Sequence, residues 1–112
     1  MIRCIIVDLD GTLVDTSAVA ELRAQKQWRE VESKIQRCKP YNEAVDLINT
    51  ARAAGIKIAL FTNSPSNYVR IILKHFQLSA DYVVTYYDVK NHKPASEGVD
   101  KIREHFGVSR ED

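Results

Sequence analysis

The run Ile2–Val7 (IRCIIV) is short, β-branched and almost continuously apolar, and it stops abruptly at Asp8-Leu9-Asp10-Gly11-Thr12. An alternating strand has one wet face; this one has none, which is the pattern of a parallel strand covered on both faces. Ile56–Phe61 (IKIALF) ends the same way, at Thr62-Asn63-Ser64-Pro65, and Tyr82–Tyr86 (YVVTY) is a third such run. Parallel strands cannot be joined by tight turns, so the stretches between them must supply crossovers.

Those stretches read as helices. Thr16 to about Cys38 is expected to be helical, capped by Thr16 or Ser17, with Ala24, Trp28, Val31, Ile35 and Cys38 on one stripe. Pro40 closes that segment. Tyr41–Ala54 is a second helix with Ala44, Val45, Leu47, Ile48 and Ala51 inward, and Gly55 suits its left-handed end. Ser66 is placed to cap a third, reaching about Phe76 and carrying Tyr68, Val69, Ile71, Ile72 and Leu73. Asp88–Pro94 is a polar loop, and Ala95–Phe106 is a last helix ended by Gly107. The fold class is therefore α/β, with helices on a parallel sheet. A length of 112 residues fits one domain.

Composition narrows the function. Sixteen Lys and Arg against 15 Asp and Glu leave a net charge of +1, which gives no global attraction to nucleic acid or anionic membrane. No apolar stretch approaches the roughly 20 residues of a membrane span, and the first strand follows Met1 directly, leaving no space for a leader. Cys4 and Cys38 sit in dissimilar contexts, as free thiols of a cytoplasmic protein would.

In a parallel α/β sheet the ligand crevice lies at the carboxyl ends of the strands. That gathers Asp8, Asp10, Thr62 and the loop from Asp88 to Lys93 from distant parts of the chain. Asp8 and Asp10, two apart with Gly11 to bend the turn, can divide labour between nucleophile or metal ligand and acid–base catalyst. Asp and Gly after a strand also form ordinary turns, and the pair alone leaves both readings open.

The longer context resembles a known family. VDLDGTLVDT at the end of the first strand resembles the first signature of the haloacid dehalogenase superfamily of phosphatases and related phosphoryl-transfer enzymes. Thr62 in IALFTNSP resembles the second signature and Lys93 in NHKPAS the third, in the right order and on the right elements. The resemblance implies a Rossmann-like three-layer fold and a magnesium-dependent phosphatase of small phosphorylated molecules. Asp8 would form an aspartyl-phosphate, and Asp10 would protonate the leaving oxygen and later deprotonate water. Aspartate at position 10 is informative, because ATPase relatives carry Thr there and the dehalogenases Tyr. Thr62, with backbone donors near Leu9 and Asn63, would hold the phosphoryl oxygens, and Lys93 would offset charge on Asp8 and the transferring group. Magnesium would bridge Asp8, the carbonyl of Asp10 and the phosphate. A phosphomutase shares the same aspartates.

The sequence departs from the family at its end. The fourth signature, a strand ending in acidic residues that complete the magnesium site, is not found before the chain stops at FGVSRED. This implies an incomplete catalytic core, 1–112, with weak or no turnover alone. It also implies that the first strand becomes an apolar edge, open to pairing with a second copy or a partner. The alternative function is then a non-catalytic phosphate-binding or interaction domain.

Between Asp15 and Pro40 the chain has space only for a short helical insert, 16–39, in place of a full cap. The insert is basic (Arg23, Lys26, Arg29, Lys34, Arg37, Lys39), which reads as a solvated face or as a phosphate-attracting patch. Trp28, Val31 and Ile35 read as a packing stripe rather than as a substrate platform. His92 stands beside Lys93, in a loop where histidines are commonly solvent-facing.

Overall fold

The computed structural model describes residues 2–91, 93 and 97–108, with the side chain of Tyr87 excepted. His92, Pro94, Ala95 and the last residues of FGVSRED lie outside the described residues.

The main sheet has three parallel strands, β1 (Cys4–Val7), β4 (Lys57–Phe61) and β5 (Tyr82–Val84), in the order β1-β4-β5. Cys4 pairs with Lys57 and Val7 with Leu60; Ala59 pairs with Tyr82 and Phe61 with Val84. Between β1 and β4 lie β2 (Val14–Asp15) and β3 (Lys39–Pro40), which form a separate antiparallel ribbon. The helices are α1 (Ala20–Ala24), α2 (Trp28–Ser33), α3 (Asn42–Ala53), α4 (Ser66–His75) and α5 (Glu97–Phe106).

The central strand shows why the sequence reads as apolar throughout. Ile58 and Leu60 enter a core built with Ile48 and Ala51 of α3 and Val69 and Ile72 of α4. Ala59 and Phe61 point the other way, to Val84, Val89 and Ile102 of α5. The result is three layers, with α3 and α4 on one face and α5 on the other. Gly98 makes the second layer tight, since a Cβ there would overlap the ring of Phe61. No helix among the described residues is long and apolar enough to cross a membrane.

β1 departs from the two-faced burial its sequence suggests. Ile5 and Val7 pack against the first core, but Ile6 is 38% exposed and Ile2 60%. Among the described residues β1 pairs only with β4, so it is an edge.

The expected single helix over 16–38 is two short helices flanked by 3-10 turns at Ser17–Val19 and Ile35–Arg37. Lys26 breaks it: with φ of 58° it occupies the left-handed region, and Gln27 N–H donates to Leu22 O while Lys26 N–H donates to Arg23 O. That is a Schellman end with lysine where glycine is usual. Thr16 stands at the N-cap of the first 3-10 turn without a side-chain cap bond, Ser17 lies inside that turn, and Ser66 is the first residue of α4, whose N-cap is Pro65. Leu47, expected to face inward, is 62% exposed, and Ala24 is exposed as well.

Candidate functional site

The turn after β1 is held by its own backbone. Leu9 is fully buried, and its carbonyl accepts from the N–H groups of Leu13 and Val14 at 3.0 and 3.1 Å. Gly11, with φ of 78°, donates its N–H to Val14 O at 2.8 Å and lets the chain double back. Asp8 and Asp10 therefore leave the sheet on a fixed frame.

A pocket of about 340 Å³ opens at this end of the sheet, lined by Asp8, Asp10, Arg23, Thr62, Asn63, Ser64, Pro65 and Lys93. Lys93 Nζ lies 3.2 Å from Asp8 Oδ1, donates to Phe61 O at 3.0 Å, and sits 4.8 Å from the centre of the Phe61 ring. Asp8 Oδ1 also accepts from Leu9 N–H at 2.7 Å. Asn63 Oδ1 accepts from Lys93 N–H at 3.3 Å, and Glu97 accepts from the N–H groups of Lys90 and Asn91, fastening the loop that carries the lysine. These backbone donors hold the Glu97 carboxyl below its usual range. Thr62 is buried, and its Oγ1 accepts from Ser64 N–H at 3.1 Å.

Asp10 is the most heavily bonded side chain in the pocket. Its Oδ1 accepts from Tyr68 OH at 2.7 Å and Thr16 Oγ1 at 2.8 Å; its Oδ2 accepts from Ser64 Oγ at 2.8 Å and Arg23 Nη2 at 3.1 Å. Arg23 also donates to Ser64 Oγ at 2.8 Å and lies over the Tyr68 ring at 4.8 Å. Burial, and then the hydrogen bond to Asp10, push the Tyr68 phenol well above its ordinary value.

The structure thus brings Asp8, Asp10, Thr62, Asn63 and Lys93 to one strand-end pocket; Leu9 is buried outside its lining, and its N–H donates to Asp8 Oδ1. Sequence reasoning missed the four donors around Asp10. The sequence reads Thr16 as a cap, Arg23 as part of a solvated or phosphate-attracting face and Tyr68 as a helix-stripe residue, and it gives Ser64 no role. The polar TNSP run was the one available signal for Ser64.

Among the described residues no three His, Cys, Asp or Glu side chains converge as a metal cluster. A hard cation needs less than that, because magnesium is commonly held by one or two carboxylates with phosphate oxygens and waters completing the octahedron. Asp8 fits such a donor set. The Asp10 carboxylate does not, as each oxygen already accepts two hydrogen bonds, which leaves its backbone carbonyl.

Residues 18–112 match the model of the haloacid dehalogenase-like hydrolase family. A search of curated proteins finds no match to the sequence. Among solved structures, an HAD-superfamily hydrolase (subfamily IA, variant 1) from Geobacter sulfurreducens is similar with a TM-score of 0.73 at 20% identity, over 97% of this chain and 76% of its own. L-2-haloacid dehalogenase from Xanthobacter autotrophicus, with chloropropionic acid covalently bound, is similar at 0.72 and 16% identity, over 97% of this chain and 66% of that one. At these identities the likeness is one of fold.

Proposed function

The chain belongs to the haloacid dehalogenase-like hydrolase family, and on that premise we propose that it is a magnesium-dependent phosphatase that hydrolyses phosphomonoesters through an aspartyl-phosphate on Asp8. The observation that carries this reading is the 3.2 Å approach of Lys93 Nζ to Asp8 Oδ1 in the pocket that Thr62 and Asn63 also line. A carboxylate is anionic at neutral pH and ready to attack, and a fixed cation beside it offsets the charge that gathers on the phosphoryl oxygens.

In the first half-reaction an Asp8 oxygen bonds to phosphorus, the bond from phosphorus to the ester oxygen breaks, and Asp10 gives that oxygen a proton. In the second, Asp10 takes a proton from water, the water oxygen bonds to phosphorus, and the bond to Asp8 breaks. For Asp10 to carry a proton, one of its four donors must turn into an acceptor. Hydroxyls can do this and a guanidinium cannot, so Thr16, Ser64 and Tyr68 are the partners able to reverse, while Arg23 fixes Oδ2. Thr62 and Asn63 hold the phosphoryl oxygens, joined by the N–H of Leu9 where the phosphate displaces its bond to Asp8 Oδ1. Magnesium, held by Asp8 and the Asp10 carbonyl, would supply further charge compensation at the phosphate. With one side-chain carboxylate offered to the ion among the described residues, weak magnesium affinity and slow turnover are expected.

The test is phosphate release from benzyl phosphate by the purified chain, with and without magnesium, beside Asp8→Asn. Magnesium-dependent release that Asp8→Asn abolishes supports the reading; release that persists in Asp8→Asn removes Asp8 as nucleophile.

A second reading, an interaction domain that completes its sheet with a second copy, is favoured by the exposure of Ile6 on the open strand and of Ile2 just before it.

A further inference from the structure

Trp28 separates from the stripe on which its spacing puts it. Val31, Ile35 and Cys38 are each 2% exposed, yet Trp28 is 37% exposed. Its indole lies 5.7 Å from the Tyr68 ring, tilted by 48°. With Val31, Pro65 and Ile71 it forms the apolar part of a cleft of about 540 Å³ between α2 and the start of α4, whose lining also includes Arg29, Ser66, Asn67 and Arg70.

Two links join this cleft to the pocket that holds Asp8. Pro65 lines both. Tyr68 walls the cleft with its ring and donates its hydroxyl to Asp10 at 2.7 Å. Tyr68 is buried between the two, with Arg23 over its ring, so the leaving group of an ester beside Asp8 would reach the cleft along Pro65.

We propose that this cleft receives a planar aromatic ring on the leaving group of the phosphate ester, packed against Trp28. The proposal rests on the phosphatase reading and names its substrate class. A part-exposed indole in a concave apolar wall offers an aromatic ring more than burial alone, about 0.5–1.5 kcal/mol for a well-placed ring pair. Arginine guanidiniums stack on aromatic faces, and two of them border the cleft. Its volume falls in the roughly 300–1,000 Å³ range of small-molecule sites. Glu32, also in the lining, disfavours a second negative charge on a group seated there.

The test compares esters whose leaving groups are all primary alcohols, so that leaving-group acidity does not masquerade as recognition: benzyl phosphate, n-butyl phosphate and a purine nucleoside 5′-monophosphate. The expected result is a kcat/KM about fivefold or more higher for the aromatic esters than for n-butyl phosphate, shrinking to within about twofold in Trp28→Leu and partly restored in Trp28→Phe. The benzyl and nucleotide arms tell a simple aryl group from a base. Trp28 is the single tryptophan of the chain, so its fluorescence in the Asp8→Asn protein reads the cleft without turnover. Saturable change with benzyl phosphate, tighter than with benzyl alcohol or inorganic phosphate, is expected. Equal kcat/KM for benzyl and n-butyl phosphate, or no Trp28 response to benzyl phosphate, overturns the aromatic cleft. Failure of the phosphatase reading looks different: the fluorescence response remains while no ester is hydrolysed.

Discussion

Arg23 and Asp10, thirteen positions apart, meet as a part-buried ion pair at 3.1 Å, and among the described residues Arg23 is the one partner of Asp10 that cannot accept a hydrogen bond. The arginine comes from α1, inside the insert, whereas Asp10 belongs to the turn after β1. Ser64 and Tyr68 bring the start of α4 to the same carboxylate. One side chain thus ties together the strand-end turn, the insert and the helix that follows β4.

Removing Arg23 should loosen all three. Arg23→Met leaves a mostly shielded carboxylate one charged donor short, and a loss of about 1.5–3 kcal/mol is expected from urea unfolding. A double-mutant cycle with Asp10→Asn should show that most of this loss disappears when the charge is already gone. Additive losses would mean that the pair does not couple.

The sheet was legible because β1, β4 and β5 are apolar on both faces in sequence, and the carboxyl-end rule then gathered Asp8, Thr62 and Lys93. The cage around Asp10 was not legible. Thr16, Arg23, Ser64 and Tyr68 reach it only because α1 and α4 pack on the same side of the β1 turn, and no local spacing encodes that. Helix ends divide the same way. Gly55 and Gly107 stop α3 and α5 with φ of 84° and 64°, as glycine predicts, but Lys26 and Gln77 make the same kind of turn with φ of 58° and 55° and carry no such signal.

Gly98 is where α5 meets the residue beneath Lys93. Gly98→Ala drives a methyl group into the Phe61 ring, and Phe61 supplies both the ring under Lys93 and the carbonyl that its Nζ donates to. A stability loss of about 1–3 kcal/mol is expected, with phosphate release reduced as Lys93 shifts. Phe61→Leu should recover part of the stability of Gly98→Ala; equal melting of Gly98→Ala and wild type would show that α5 simply moves aside.

Tyr68 gives the fold a sensitivity to alkali. Its phenol is raised in the folded protein, by burial first and by the Asp10 hydrogen bond second, while in the unfolded chain it titrates near its ordinary value of about 10. The unfolded state therefore releases the proton first. Stability from this group is complete below about pH 10 and falls as pH rises above it. Cys38, raised chiefly by burial, acts in the same direction from about pH 8.5. Urea unfolding between pH 8 and 11 should show a shallower decline in Tyr68→Phe than in wild type, from a lower starting stability. Parallel declines would show that Tyr68 is not the group responsible.

The open strand should be adhesive. β1 pairs only with β4 among the described residues, and α5 covers β4 and β5 but leaves Ile6 of β1 38% exposed. Apolar edges of this kind pair with one another, and a two-fold axis lets two copies of one strand satisfy each other's backbone groups. Sedimentation at about 100 μM is expected to show dimers or larger species. Ile6→Lys puts a charge on the exposed face of that edge and should return the chain to monomer without loss of secondary structure. A wild-type monomer at that concentration would mean that the edge is already protected, and would leave the catalytic reading without its competitor.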